Sequence, residues 1–215
     1  IMTSILKADT IQDTDGNNII NESGNTITIG ASGDTVTIPS GATLDASNAT
    51  LSGFATTNGI TMADQWRLTA STTFSSGASN KISSNWERTD TYGYGTIGSA
   101  MTESSGEFSF PATGIYLIIY KMNGKSASSS NNRYVNGNLY TSTDGGSSVN
   151  IAARGAAGPA GNNWDFDTTA IFIFDVTNTS THQVQFGYEF EQDTRLYGGT
   201  NDSQTCVTFI RLGDT

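Results

Sequence analysis

The stretch GEFSFPATGIYLIIY, residues 106–120, decides how the rest of the chain is read. A short apolar-polar run from Glu107 meets Pro111 and Gly114, and a long apolar run follows through Met122. Proline lacks the ladder N–H and fits a strand start or edge; glycine fits the turn before a continuous strand. Working outward, further runs bounded by Gly, Asn, Ser or Asp begin at 65 (QWRLTAST), 133 (RYVNGNLYTS), 148 (SVNIAAR), 168 (TTAIFIFDV), 182 (HQVQFGYEFEQ) and 205 (TCVTFIRL). Phe172 and Phe174 alternate with Ile171 and Ile173, which predicts a strand apolar on both faces and suited to the middle of a sandwich. Val184, Phe186, Tyr188 and Phe190 alternate with Gln183, Gln185, Gly187 and Glu189, which predicts a strand with one wet face. Eight or more strands without a helical period predict an all-β chain whose body is an antiparallel jelly-roll sandwich.

Composition agrees. Of 215 residues, 25 are Ser, 32 Thr, 18 Asn and 24 Gly, while Lys and Glu together number 10. Strong helix formers are too few for a bundle or a helix-rich enzyme. The aromatics divide the chain unevenly: of 10 Phe, 8 Tyr and 3 Trp, only Phe54 lies in the first 63 positions. Those residues cannot bury a globular core alone, so residues 64–215 are expected to form the head and 1–63 an extension.

The extension carries NTITIG at 25–30 and DTVTIPSG at 34–41, then Ala-Thr-Leu at 42–44 and again at 49–51. Ile27 and Ile29, and then Val36 and Ile38, sit two apart and share a face within each piece. Such narrow stripes and open edges are unstable in one chain. Three chains wound about an axis would bury Ile27, Ile29, Val36, Ile38, Leu44 and Leu51 together, so a short-strand trimeric β-stalk is expected. A disordered polar tail is the competing reading. DTDGNN at 13–18 lacks the spacing of a calcium loop and reads as a turn.

The net charge of −10, with no Lys/Arg cluster, argues against nucleic acid as a partner. Cys206 is the single cysteine and His182 the single histidine. Cys206 lies in an apolar strand pattern and is expected as a buried, inert thiol; His182 follows NTST and is expected as a solvated loop residue. One of each cannot build the usual zinc sites, so neither metal nor cofactor is expected. The opening IMTSILKADTIQ carries no long apolar run or basic leader, and synthesis in a reducing cytoplasm is the expectation. GAAGPAG at 155–161 has too few triplets for a collagen helix and reads as a loop.

The segment with Gly106, Phe108, Pro111, Gly114, Ile115 and Tyr116 resembles the hallmark of the trimeric jelly rolls related to tumour necrosis factor and the complement globular heads. Trp66, Trp86 and Tyr94 suit the family's early strands, and TCVTFIRLGD its last one. The resemblance implies a homotrimer. The string KADTIQDTDGNNIINESGNTITIGASGDTVTIPSGATL resembles the start of virion fibre proteins of bacteriophages, particularly those of marine cyanobacteria and other aquatic bacteria. That implies a tail fibre or spike on the virion, anchored to other virion proteins through its N-terminal segment. Its head would bind a host-surface glycan or outer-membrane protein. A neck, head-fibre or capsid decoration protein is the alternative, and a secreted complement-like binding module a more distant one.

Candidate receptor contacts are the aromatic and charged residues of the polar loops: Arg133 and Tyr134, then Asn162, Asn163, Trp164 and Asp165, then Arg195 and Tyr197. Packing at strand ends is the competing role for each aromatic. An enzyme would need two carboxylates facing one cleft, roughly 5 to 10 Å apart for glycoside hydrolysis. Asp165/Asp167 and Glu189/Glu191 are such pairs, yet solvated acidic edges explain them equally, and a non-enzymatic protein is expected.

Overall fold

The structure is a computed structural model of the 215-residue chain. It describes residues 10–12, 14, 18–23, 26–29, 32–44, 59–159 and 161–215, and among these there is no helix. The chain divides into two compact units, Ile1–Ala55 and Thr56–Thr215.

In the first unit, β1 (Thr10–Gln12), β2 (Asn18–Ser23) and β3 (Thr26–Ile29) form an antiparallel meander. Ile20 stands opposite Ile11 on one side and Ile29 on the other, so three isoleucines line up across the sheet. All three are exposed, as are Ile27, Val36, Ile38 and Leu44. Leu51 lies outside the described residues. The expected strand at 34–41 does not form: Val36 and Ile38 belong to no strand. Pro39 removes a ladder donor directly after Ile38, and the Ala42 N–H closes a turn onto the Pro39 carbonyl at 3.0 Å.

The second unit is a two-sheet sandwich. Its strands are β4 (Met62–Leu68), β5 (Thr72–Phe74), β6 (Gly77–Lys81), β7 (Trp86–Arg88), β8 (Thr102–Ser104), β9 (Glu107–Ser109) and β10 (Gly114–Ser126). There follow β11 (Val135–Ser142), β12 (Asn150–Ala157), β13 (Asp165–Val176), β14 (Gln183–Phe190), β15 (Thr194–Leu196) and β16 (Cys206–Gly213). One sheet runs β13-β10-β16-β4-β7, with β15 and β5 continuing beside the far end of β10. The other runs β12-β11-β14-β9-β8, with β6 also on β14. All pairings are antiparallel.

The quoted stretch sits at the centre. Strand β10 pairs with β13 from Gly114 to Lys125 and with β16 from Ile115 to Lys121. Its Tyr116, Ile118, Tyr120 and Met122 are fully buried between the sheets. Phe108 is the hub of the aromatic core, with the rings of Trp66, Trp86, Phe186 and Phe209 at 5.3 to 5.6 Å. Gly106 is required before it: its φ is +83°, and a Cβ there would lie 2.3 Å from the Ile82 carbonyl oxygen.

The head corrects several expectations. His182 lies in the turn leading into β14, but it is buried and stacks on Phe174 at 5.5 Å, its ring nitrogens against Thr177 and Thr181. Gly155, Ala156 and Ala157 end β12 rather than forming a loop. A Cβ on Gly155 would lie 2.6 Å from the Thr169 carbonyl, so this glycine lets the edges of the two sheets close together. The polar face of β14 is wet only in part, since Gln185 is buried and its amide donates to Glu107 at 2.8 Å. Trp66 and Trp86 lie on strands, whereas Tyr94 lies in the turn beyond β7. Strand β13 is an edge rather than a middle strand, because its ladder runs to β10 alone. Cys206 is buried as expected, and burial pushes its thiol pKa up.

Candidate functional site

Chain direction sorts the loops of the head. At one end lie the start of β4, the start of β10, the end of β13 and the end of β16. At the other lie the end of β10, the starts of β11, β13 and β15, and the end of β14. Every candidate contact residue falls at this second end, opposite the point where β4 begins.

Backbone bonds tie its loops into one rim. The Asn163 N–H donates to the Ser126 carbonyl at 3.0 Å, and the Ser126 N–H to the Trp164 carbonyl at 3.1 Å. The Ala127 N–H donates to the Asp193 carbonyl at 2.9 Å, and the Glu191 N–H to that of Tyr134 at 3.4 Å. Asn163 adopts a positive φ of 59°, within the turn that the Trp164 N–H closes onto Gly161. The Trp164 ring is left 60% exposed.

Two polar clusters form on this rim. Asp165, Lys125 and Arg195 stand abreast on β13, β10 and β15, and the Tyr197 hydroxyl donates to Asp165 at 2.5 Å. That bond to a carboxylate raises the Tyr197 pKa. On the other sheet, the Arg133 backbone N–H donates to Glu191 at 2.6 Å and its guanidinium pairs with the same carboxylate. The pairing holds Glu191 below the usual carboxylate range. Asn162 is exposed, and Tyr134 lies at the exposure border beside Arg133. Among the described residues no side-chain bond joins the Arg133 cluster to the Asp165 cluster.

The outward face of the β13-β10-β16 sheet differs in kind. Ile173, Leu117 and Ile210 form a row across its strands, continued by Ala63 on β4. Ile171 stands beside Ile119 in the next row. Ile171 and Ile173 are 58% and 59% exposed, and Leu212 is exposed as well. The second apolar face read from the alternation therefore exists, and among the described residues nothing covers Ile171 or Ile173. An aliphatic face of this kind marks a contact surface.

One buried residue escaped the sequence reading. The Asp64 carboxylate accepts from the Trp66 indole at 3.0 Å, Arg88 at 3.1 Å, the Tyr94 hydroxyl at 2.6 Å and the Met101 N–H at 3.0 Å. No local motif could have announced it, because its partners converge from separate segments.

The strand order and closed core define a jelly roll. No protein-family model and no curated protein sequence matches the chain. Solved structures do. Eiger TNF from S. frugiperda superposes with a TM-score of 0.54 at 10% identity, covering 73% of this chain and 95% of that one. Murine APRIL at pH 5.0 superposes at 0.50 with 9% identity, covering 70% and 98%. The head therefore has a TNF-like jelly-roll fold.

Proposed function

We propose that the protein is a homotrimeric, non-enzymatic component of a bacteriophage virion, a tail fibre or spike. Its N-terminal segment attaches to other virion proteins, and its jelly-roll head binds a host-surface glycan or outer-membrane protein. The observation that carries this reading is the uncovered aliphatic face of β13, β10 and β16, which a copy of the same chain would bury. A second support is the exposed row of Ile11, Ile20 and Ile29 in the N-terminal unit. The N-terminal wording and the order of stalk then head support the virion assignment. The gathering of Arg133, Trp164 and Tyr197 at one end of the head supports a receptor rim there.

The carboxylates also favour binding over hydrolysis. Asp165 is held by Tyr197, Asp167 by Lys121, Glu189 by Arg154 and Glu191 by Arg133. A general acid needs a raised pKa, and Glu191 is shifted the other way.

Sedimentation of the full chain tests the assembly. A trimer is expected, and the double variant Ile171→Asp/Ile173→Asp should leave folded head monomers. A folded wild-type monomer at micromolar concentration would overturn the trimer. Imaging of labelled particles tests location: label on the tail is expected, label on the neck or capsid selects the decoration role, and unlabelled particles remove the virion reading.

A further inference from the structure

A concave surface lies on the same outward face of the first sheet as the aliphatic row, beyond Ala63 and past Gln65 toward β7. It is a groove of about 390 Å³ at the β4–β7 side of the first sheet, the edge opposite β13. Its floor is Arg67, 1% exposed, whose guanidinium donates to Glu87 at 2.8 Å, Thr91 at 2.8 Å and Asp90 at 2.7 Å. Two carboxylates thus balance one guanidinium, and Asp202 on the wall adds further negative charge. An anionic ligand gains nothing here.

The walls are polar and held in place. Tyr94 donates to Asp64 and accepts the Gln65 N–H at 2.8 Å, so its ring is fixed. The Gln65 side-chain carbonyl accepts from Ser203 at 3.3 Å and Thr89 at 3.5 Å. Among the described residues the Asn201 side-chain amide has no hydrogen-bond partner, and Asp202 uses one oxygen on Gln204 at 2.9 Å.

The rim carries Tyr92, 87% exposed. The turn from Thr91 to Tyr94 closes with a 3.2 Å backbone bond, and both of its central residues, Tyr92 and Gly93, have positive φ, 54° and 82°. A non-glycine residue is uncommon there, so the backbone accepts a cost to stand this ring beside the groove. Burial in the core does not account for it.

We propose that this groove binds a neutral saccharide unit, a hexopyranose or N-acetylhexosamine. The apolar C–H face of the sugar rests on Tyr92. Its hydroxyls, each both donor and acceptor, meet the Asn201 amide, the Asp202 carboxylate and the Ser203 hydroxyl. This deepens the receptor-binding reading and rests on it, naming the glycan chemistry and a place for it outside the loop rim.

The test is calorimetry and ligand-observed NMR on the full chain with neutral oligosaccharides of glucose, galactose, mannose and their N-acetylated amines. Sialylated and phosphorylated oligosaccharides serve as charged probes. Binding of a neutral probe is expected. Tyr92→Ala should weaken it about tenfold, Tyr92→Phe should keep most of it, and Asn201→Ala should weaken it less than Tyr92→Ala. Tyr92 is exposed, so folding is not at stake, and unchanged melting of each variant confirms this. The proposal is overturned if no neutral probe binds, if Tyr92→Ala and Asn201→Ala bind as the wild type does, or if charged probes bind more tightly. Particle labelling separates the two levels. Tyr92-dependent sugar binding by a protein absent from virions keeps the groove and removes the appendage, while labelled tails without sugar binding do the reverse.

Discussion

Both units of the chain alternate aliphatic with polar residues every second position, and the outcomes are opposite. In the N-terminal unit Ile27, Ile29, Val36, Ile38 and Leu44 all remain exposed. In the head, every second residue of β10 from Gly114 to Ser126 is buried. Alternation only assigns side chains to a face; burial requires an opposing layer. The head supplies that layer itself, because its aromatics come from both sheets, whereas the described residues of the N-terminal unit include no aromatic. The outward face of β13 stands between the two cases: it alternates as strictly as β10, but the described residues supply no opposing layer for it.

The largest effects should fall where the head supplies its own layer. Phe108→Ala removes the ring that touches four other aromatics and should cost about 3–5 kcal/mol. The loss should appear in denaturant melts at any protein concentration. If the shift shrank at high concentration, the core would depend on association and the contrast between the units would break. Asp64→Ala should come next, at about 3 kcal/mol, because it strands the Trp66 indole, the Tyr94 hydroxyl and the Met101 N–H without an acceptor. Melting of Asp64→Ala within experimental error of the wild type would show that the cluster is dispensable.

In the N-terminal unit Ile38→Asp probes the missing layer. On a surface that stays exposed, such a change costs next to nothing. In a stripe buried between three chains it forfeits roughly 1.5–3 kcal/mol per chain. Faster proteolysis of the first 55 residues with unchanged melting of the head is the expected result. Equal proteolysis would assign Ile38 to the exposed surface.

How far the sequence could be read follows from the length of its periods. β10, β11, β13, β14 and β16 run long enough for alternation to be unmistakable. β5, β7, β8, β9 and β15 have three residues each, and only β9 carried a motif, Gly106-x-Phe108, that located it. The candidate contact residues fall at one end of the head because polar loops mark strand ends, and antiparallel order places alternate ends together. Asp64 and His182 were not legible, since burial of a polar side chain depends on partners far along the chain. The groove had one local sign, the glycine-flanked tyrosines of Thr91–Gly95, whose turn geometry no period reveals.

The smallest effect separates the units by pH. All 8 tyrosines lie beyond residue 63. Burial, then the bond to Asp64, pushes the Tyr94 pKa up to about 12, and burial also raises Tyr116, Tyr120 and Tyr188. In an unfolded chain a tyrosine ionises near about pH 10. Between those values the unfolded state has released a proton that the folded head retains. The contribution is therefore complete below the unfolded pKa and is lost as pH rises from there through the folded one. Head melting should fall across that window in step with tyrosinate absorbance, and Tyr94→Phe should flatten the fall. Proteolysis of the N-terminal unit should follow no tyrosine titration unless its stability is borrowed from the head, in which case the two would decline together.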